Sequence, residues 1–223
     1  MKFLIGFSGV FTGGMSHGYA TEVGARLGIP AELFEKHLKA KEPGFLQACR
    51  GRVSEEEFFA DLAESWNREH LERRALTGQD LRDVLYDISQ RSIEGTVDIL
   101  ARVAYYPERP GKGGRVLDGL PKFYLVEDQT AGLASMLYQW HPDVYWLTED
   151  EFWSFKVGLV KRDPFYFQLV MRTLGGAPEE YLLVDSVEAN LEEARRTGIA
   201  TIQFTDPEQL MSELSRYGFT FMD

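Results

Sequence analysis

A chain of 223 residues with a formal net charge of −11 is long enough for one sizeable core, or for a core with a smaller inserted unit. Its acidity, with no run of Lys and Arg, argues against nucleic acid or an anionic membrane surface as a partner, because phosphate contacts need clustered cations. The single cysteine, Cys49, excludes an internal disulfide and a cysteine metal cluster and suits a reducing, cytoplasmic setting.

The apolar run at residues 3–11 follows one charge, Lys2, and could pass for a signal segment. No A-x-A site follows it, however, and a buried first strand over residues 3–7 is the expectation. Gly9, Thr12, Gly13, Gly14 and Ser16 break that run into a loop. Helical spacing then takes over: residues 19–27 ending at Gly28, residues 31–41 after Pro30, and a capping box at Ser54-Glu55-Glu56-Glu57 opening a helix through Phe58, Phe59, Leu62 and Trp66. Residues 71–90 read as further helix with a cap at Gly78-Gln79-Asp80, and residues 93–103 as one more. Pro107, Pro110, Gly111, Gly113 and Gly114 mark a loop.

From about residue 120 strands alternate with helices. Strands are expected at 123–126, ending on Glu127, at 144–147, at 181–185, ending on Asp185, and at 201–204. Helices are expected at 133–138, 164–174, after Asp185, and at 207–217. Such alternation argues for a parallel sheet with right-handed crossovers. The fold class is therefore α/β, a Rossmannoid parallel sheet with an inserted helical cap. The core takes residues 1–13 and 106–223, and the cap residues 14–105.

Three segments carry a resemblance. Gly158-Leu159-Val160-Lys161-Arg162-Asp163-Pro164 resembles the G-x-x-K-P-D-P segment of the haloacid dehalogenase-like (HAD) superfamily, with Arg162 in place of the first proline. Leu183-Val184-Asp185-Ser186-Val187-Glu188-Ala189-Asn190, followed by Ala194 and Gly198, resembles its acidic metal motif. Gly51 to Phe58 is like a common cap segment. The order and spacing of the three are more specific than any one of them.

The resemblance implies an aspartate nucleophile after the first strand, an acid/base aspartate two residues on, a phosphate-binding hydroxyl, a lysine, and carboxylates for magnesium. Gly6 stands at the nucleophile position and Ser8 at the acid/base position, and glycine can supply neither function. Glu127 takes the place of the phosphate-binding hydroxyl, Lys161 and Asp185 match the lysine and the first metal acid, Ser186 replaces a second acid, and Asn190 matches. Glu127 and Lys161 are expected to pair, filling the anion site from within. Asp185 has two readings, a structural acid or a weak magnesium site with backbone carbonyls and water.

The implied function is a catalytically degenerate HAD-like protein with a binding or regulatory role. It needs no cofactor, or magnesium if any. The alternative is a HAD-type hydrolase, a magnesium-dependent phosphatase or dehalogenase-like enzyme, with weak or unconventional activity. Serine hydrolysis through Ser8 lacks a base, since none of His17, His37, His70 or His141 is spaced to stand beside the first strand. Gly111-Lys112-Gly113-Gly114 lacks the phosphate-loop frame. Tyr138, Trp140, Tyr145, Trp146, Phe152, Trp153 and Phe155, with Tyr105 and Tyr106 upstream, read mainly as core. The other reading is a surface patch for a protein ligand or for a second copy in a homodimer.

Overall fold

The computed structural model describes residues 1–15, 18–105, 121–219 and 221. The loop expected at 107–114, with Lys112, lies outside these residues, as do Ser16, His17 and Tyr106.

Five parallel strands form one sheet in the order β3-β2-β1-β4-β5: β1 (Lys2–Ile5), β2 (Lys122–Glu127), β3 (Asp150–Trp153), β4 (Tyr181–Asp185) and β5 (Ala200–Gln203). Alternation of side chains across a strand sends Phe3, Ile5, Phe123, Leu125, Leu182 and Val184 to one face, and Leu4, Tyr124, Val126, Tyr181 and Leu183 to the other. Both faces are covered, as a parallel sheet requires. On the second face lie α10 (Tyr166–Leu174), through Tyr166, Phe167 and Val170, and α11 (Glu188–Arg196), through Leu191 and Ala194. The first face takes α7 (Ala131–Trp140), α8 (Pro142–Leu147) and α12 (Pro207–Arg216), and its apolar core runs on without a break into the inserted helices.

Those helices are α1 (Tyr19–Leu27), α2 (Ala31–Ala40), α3 (Glu42–Cys49), α4 (Glu55–Glu69) and α5 (Gly78–Gln90). The capping box of α4 forms as its residues dictate: Ser54 Oγ accepts from Glu57 N at 3.1 Å, and the Glu57 carboxylate accepts from Ser54 N at 2.9 Å. Residues 71–77 are not helical. Asn67 holds Leu76 through both amide groups, at 2.7 and 2.8 Å, and α5 begins after Thr77, which forms its own capping box with Asp80. Gly78 lets α5 start hard against α4, since a Cβ there would lie 2.9 Å from Ala60 N. α6 (Thr96–Tyr105), within the range read as cap, packs against α8 and α12 and buries Leu100 and Val103.

The third strand is not at 144–147. His141 and Pro142 start α8 there, with Val144 buried and Trp146 exposed, and the strand is β3, whose Phe152 pairs with Val126. A four-residue apolar run fits either state, and the sheet register decides between them. Of the dense aromatics, Phe152 and Trp153 are core and Trp140, Tyr145 and Phe155 pack partly against it, whereas Tyr138 and Trp146 stay exposed. Cap and core are joined by buried and half-buried polar contacts. Glu55 Oε2 accepts from Thr130 Oγ1 and from Leu133 N, its Oε1 accepts from Tyr86 Oη at 2.6 Å, and Arg50 grips Asp163 through two bonds of 2.6 and 3.1 Å. α9 (Ser154–Val157) precedes the loop that delivers Lys161. Among the described residues no helix is long and apolar enough to cross a membrane.

Candidate functional site

β2, β1 and β4 are neighbours, so their carboxyl ends present Glu127, Gly6 and Asp185 side by side. This is where open α/β sheets build their sites. Lys161 enters from the loop after α9. Its Nζ stands 2.9 Å from Glu127 Oε2 and 2.7 Å from Asp185 Oδ2, with all three side chains 4% exposed or less. It also lies 3.4 Å from Val126 O. The expected Glu127–Lys161 contact is thus one half of a buried triad whose other half is Asp185.

Each carboxylate is satisfied on its remaining side. Glu127 Oε2 accepts from Phe7 N at 2.9 Å and Oε1 from Ser8 N at 3.1 Å. Asp185 Oδ1 accepts from Val187 N at 2.8 Å and from Asn190 Nδ2 at 3.2 Å. Ser186 Oγ donates to Ser8 O at 3.2 Å, tying the turn after β4 to the loop after β1. Asn190 Oδ1 is buried with no hydrogen-bond partner among the described residues.

Gly6 continues the ladder past β1, donating to Val184 O at 2.9 Å. A Cβ on it would lie 2.9 Å from Asp185 Oδ2 and 3.5 Å from Lys161 Nζ. The triad therefore occupies the space that a side chain at this position would need.

Burial alone would push the Lys161 ammonium toward neutrality, but Asp185, Glu127 and Asp128 outweigh it and hold the group well above the usual lysine range. Asp128, adjacent in sequence to Glu127, is the residue that sequence reasoning missed; the consecutive acids at the end of a strand were its signal. Its Oδ1 accepts from Lys161 N at 2.8 Å. Half-buried by accessible surface yet hemmed in by protein, Asp128 is pushed up to about 7, chiefly by desolvation, against the pull of Lys161. Asp163, quoted within the lysine segment, also acquires an unanticipated role as the anchor of Arg50.

Two cavities border the site. The one directly over it, lined by Ser8, Glu127, Asp128, Lys161 and Asn190, holds about 60 Å³, far below the ~300 Å³ at which small-molecule pockets begin. The second lies between cap and core, lined by Tyr19, Leu38, Lys39, Phe45, Arg162 and Val187, and holds about 360 Å³.

No protein-family model matches the sequence. A stretch of 88 residues, 40% of this chain, is 31% identical to bifunctional epoxide hydrolase 2 of Sus scrofa, of which it covers 15%. The chain thus spans a small part of the length of that curated relative. Among solved structures, a HAD-like family hydrolase from Porphyromonas gingivalis is similar over 97% of this chain and 96% of its own, with a TM-score of 0.66 and 19% identity. The HAD-hydrolase YfnB from Bacillus subtilis, bound to magnesium, covers 96% and 98% with a TM-score of 0.67 and 16% identity. Sheet order, helical insertion and these likenesses define the chain as having the HAD-like hydrolase fold with a helical cap.

Proposed function

We propose that this protein has given up the covalent chemistry of its fold and serves as a binding protein, its ligand entering the cleft between cap and core. The observation that carries this reading is the internal occupation of the anion site. Phe7 N, Ser8 N and Lys161 Nζ, the donors that would face a substrate oxyanion, all donate to Glu127. A bound phosphoryl group would have to displace a buried, fully paired carboxylate and bear its repulsion. With Gly6 there is no side-chain nucleophile at the end of β1, so the covalent route has no first step.

The residues present do not fit magnesium. Hard-cation sites need several free oxygen ligands. Asp185 offers Oδ2 to an ammonium and Oδ1 to Val187 N and Asn190, Gly6 offers no side-chain oxygen, and Ser186 is engaged with Ser8 O. The Lys161 ammonium sits where it would repel a second cation.

The larger cavity suits a small molecule better than the smaller one does. Its rim charges are already paired, Lys39 with Glu35 at 2.8 Å and Arg162 with Glu42 at 2.7 Å, leaving Met15, Leu38 and Phe45 as the apolar ground for a ligand. The test is phosphatase turnover on generic and sugar phosphates with magnesium, comparing wild type with Lys161→Ala and Asp185→Asn. We expect no turnover above the buffer rate in any of them. Robust wild-type turnover abolished by both substitutions would overturn the reading, since a missing nucleophile costs many orders of magnitude.

A further inference from the structure

We propose that His37, Glu69 and His70 form a site in the cap for a late first-row divalent cation, zinc above others. His37 lies in the last turn of α2, Glu69 ends α4 and His70 caps it. One donor atom from each lies within 4.8 Å of the other two. A zinc ion at ~2.0–2.2 Å from each ligand holds tetrahedral donors ~3.3–3.6 Å apart. His37 Nδ1 and Glu69 Oε2 are already 3.1 Å apart, so any closure required is small and is toward His70, with the Glu69 side chain, 60% exposed, free to adjust.

The hydrogen bonds around His37 support ligation. The ring Nε2 lies 3.0 Å from Ser65 Oγ and 3.3 Å from Leu62 O, so in the tautomer protonated there it donates to that backbone carbonyl. Nδ1 lies 3.1 Å from Glu69 Oε2, and in that same tautomer its lone pair and the carboxylate oxygen face a common point at which one cation would bind both. An imidazole that donates its far N–H to a backbone carbonyl while its near nitrogen faces a carboxylate is oriented as metal-bound histidines usually are. Imidazole and carboxylate donors with room for water suit zinc better than magnesium or calcium.

Ser65, His37 and Glu69 also line up as a hydrolytic triad would. That reading fails on access: Ser65 is buried and spends its proton on its own helix, so no acyl group can reach it. A bound cation would instead clamp α2 to the end of α4, beside Trp66, which packs against both rings, its centroid 4.1 Å from that of His70 and 5.5 Å from that of His37, the two imidazoles being 6.3 Å apart.

The experiment is zinc titration of the chelator-treated full chain by calorimetry at neutral pH, repeated on Glu69→Gln, at an exposed position, and on the half-buried His70→Ala, with a thermal melt of each variant to show that it folds. Cobalt would be added in parallel to read tetrahedral coordination from its visible absorption and quenching of tryptophan emission. We expect one equivalent of zinc, a tetrahedral cobalt band, and a Kd raised about tenfold or more in each variant. An absence of saturable binding in the wild type would overturn the site, as would an affinity unchanged in both variants.

Discussion

Replacing Lys161 with Met removes the one cation of the buried triad while keeping most of its volume. Glu127 keeps Phe7 N and Ser8 N, and Asp185 keeps Val187 N and Asn190. Each nevertheless loses an ammonium at 2.9 or 2.7 Å, leaving two carboxylates buried beside an apolar chain. Breaking a buried pair on one side costs about 3–5 kcal/mol, because the stranded charge remains desolvated. For a chain of this size each kcal/mol moves Tm by roughly 2–4 °C, so a fall on the order of 10 °C is expected. The assay is thermal unfolding by circular dichroism, with a urea melt to check that m is unchanged. The folded pKa of Lys161 is raised, so its contribution is complete below the unfolded value of ~10.4 and is lost as pH rises through the folded one. The gap between wild type and variant should therefore narrow in strong alkali. The triple change Lys161→Met, Glu127→Gln, Asp185→Asn, which leaves no stranded charge, should recover a large part of the loss. A single Lys161→Met chain melting within about 2 °C of wild type would refute the reasoning.

Two further outcomes follow from the same site. Gly6→Ala should cost about 1–3 kcal/mol by denaturant melt, because its Cβ lands 2.9 Å from Asp185 Oδ2; Gly6→Asp should cost more and restore no phosphatase turnover, and an active, stable Gly6→Asp chain would contradict the overpacked geometry. Asp128, pushed up to about 7 from an unfolded value of ~3.9, favours the folded state fully below ~3.9 and loses that contribution as pH rises through about 7. Wild type should accordingly lose stability relative to Asp128→Asn between pH ~4 and ~8, and parallel Tm profiles across that window would show that Asp128 titrates normally.

The helix starts at Ser54 and the ends of β2 and β4 on acids were legible because they rest on contacts between residues close in sequence, or on an apolar run flanked by turn residues. The positions of Gly6, Ser8, Glu127, Lys161 and Asp185 followed from the resemblance to the HAD-like superfamily, and with them the expectation that Glu127 and Lys161 meet. Other features needed the tertiary structure. Residues 144–147 carry an apolar pattern that suits strand or helix, and only the pairing of β3 with β2 settles which segment extends the sheet. Lys161 reaches Glu127 across 34 positions and Asp185 across 24, and its capture by both at once depends on three strands ending level. The contacts of Arg50 with Asp163, Glu55 with Thr130, and His37 with Glu69 span still other elements. Sequence periodicity records which face of a helix is buried but not which side chain of another helix waits there, so the chain alone determined the scaffold and the residues at the ends of its strands, while packing decided which of them meet.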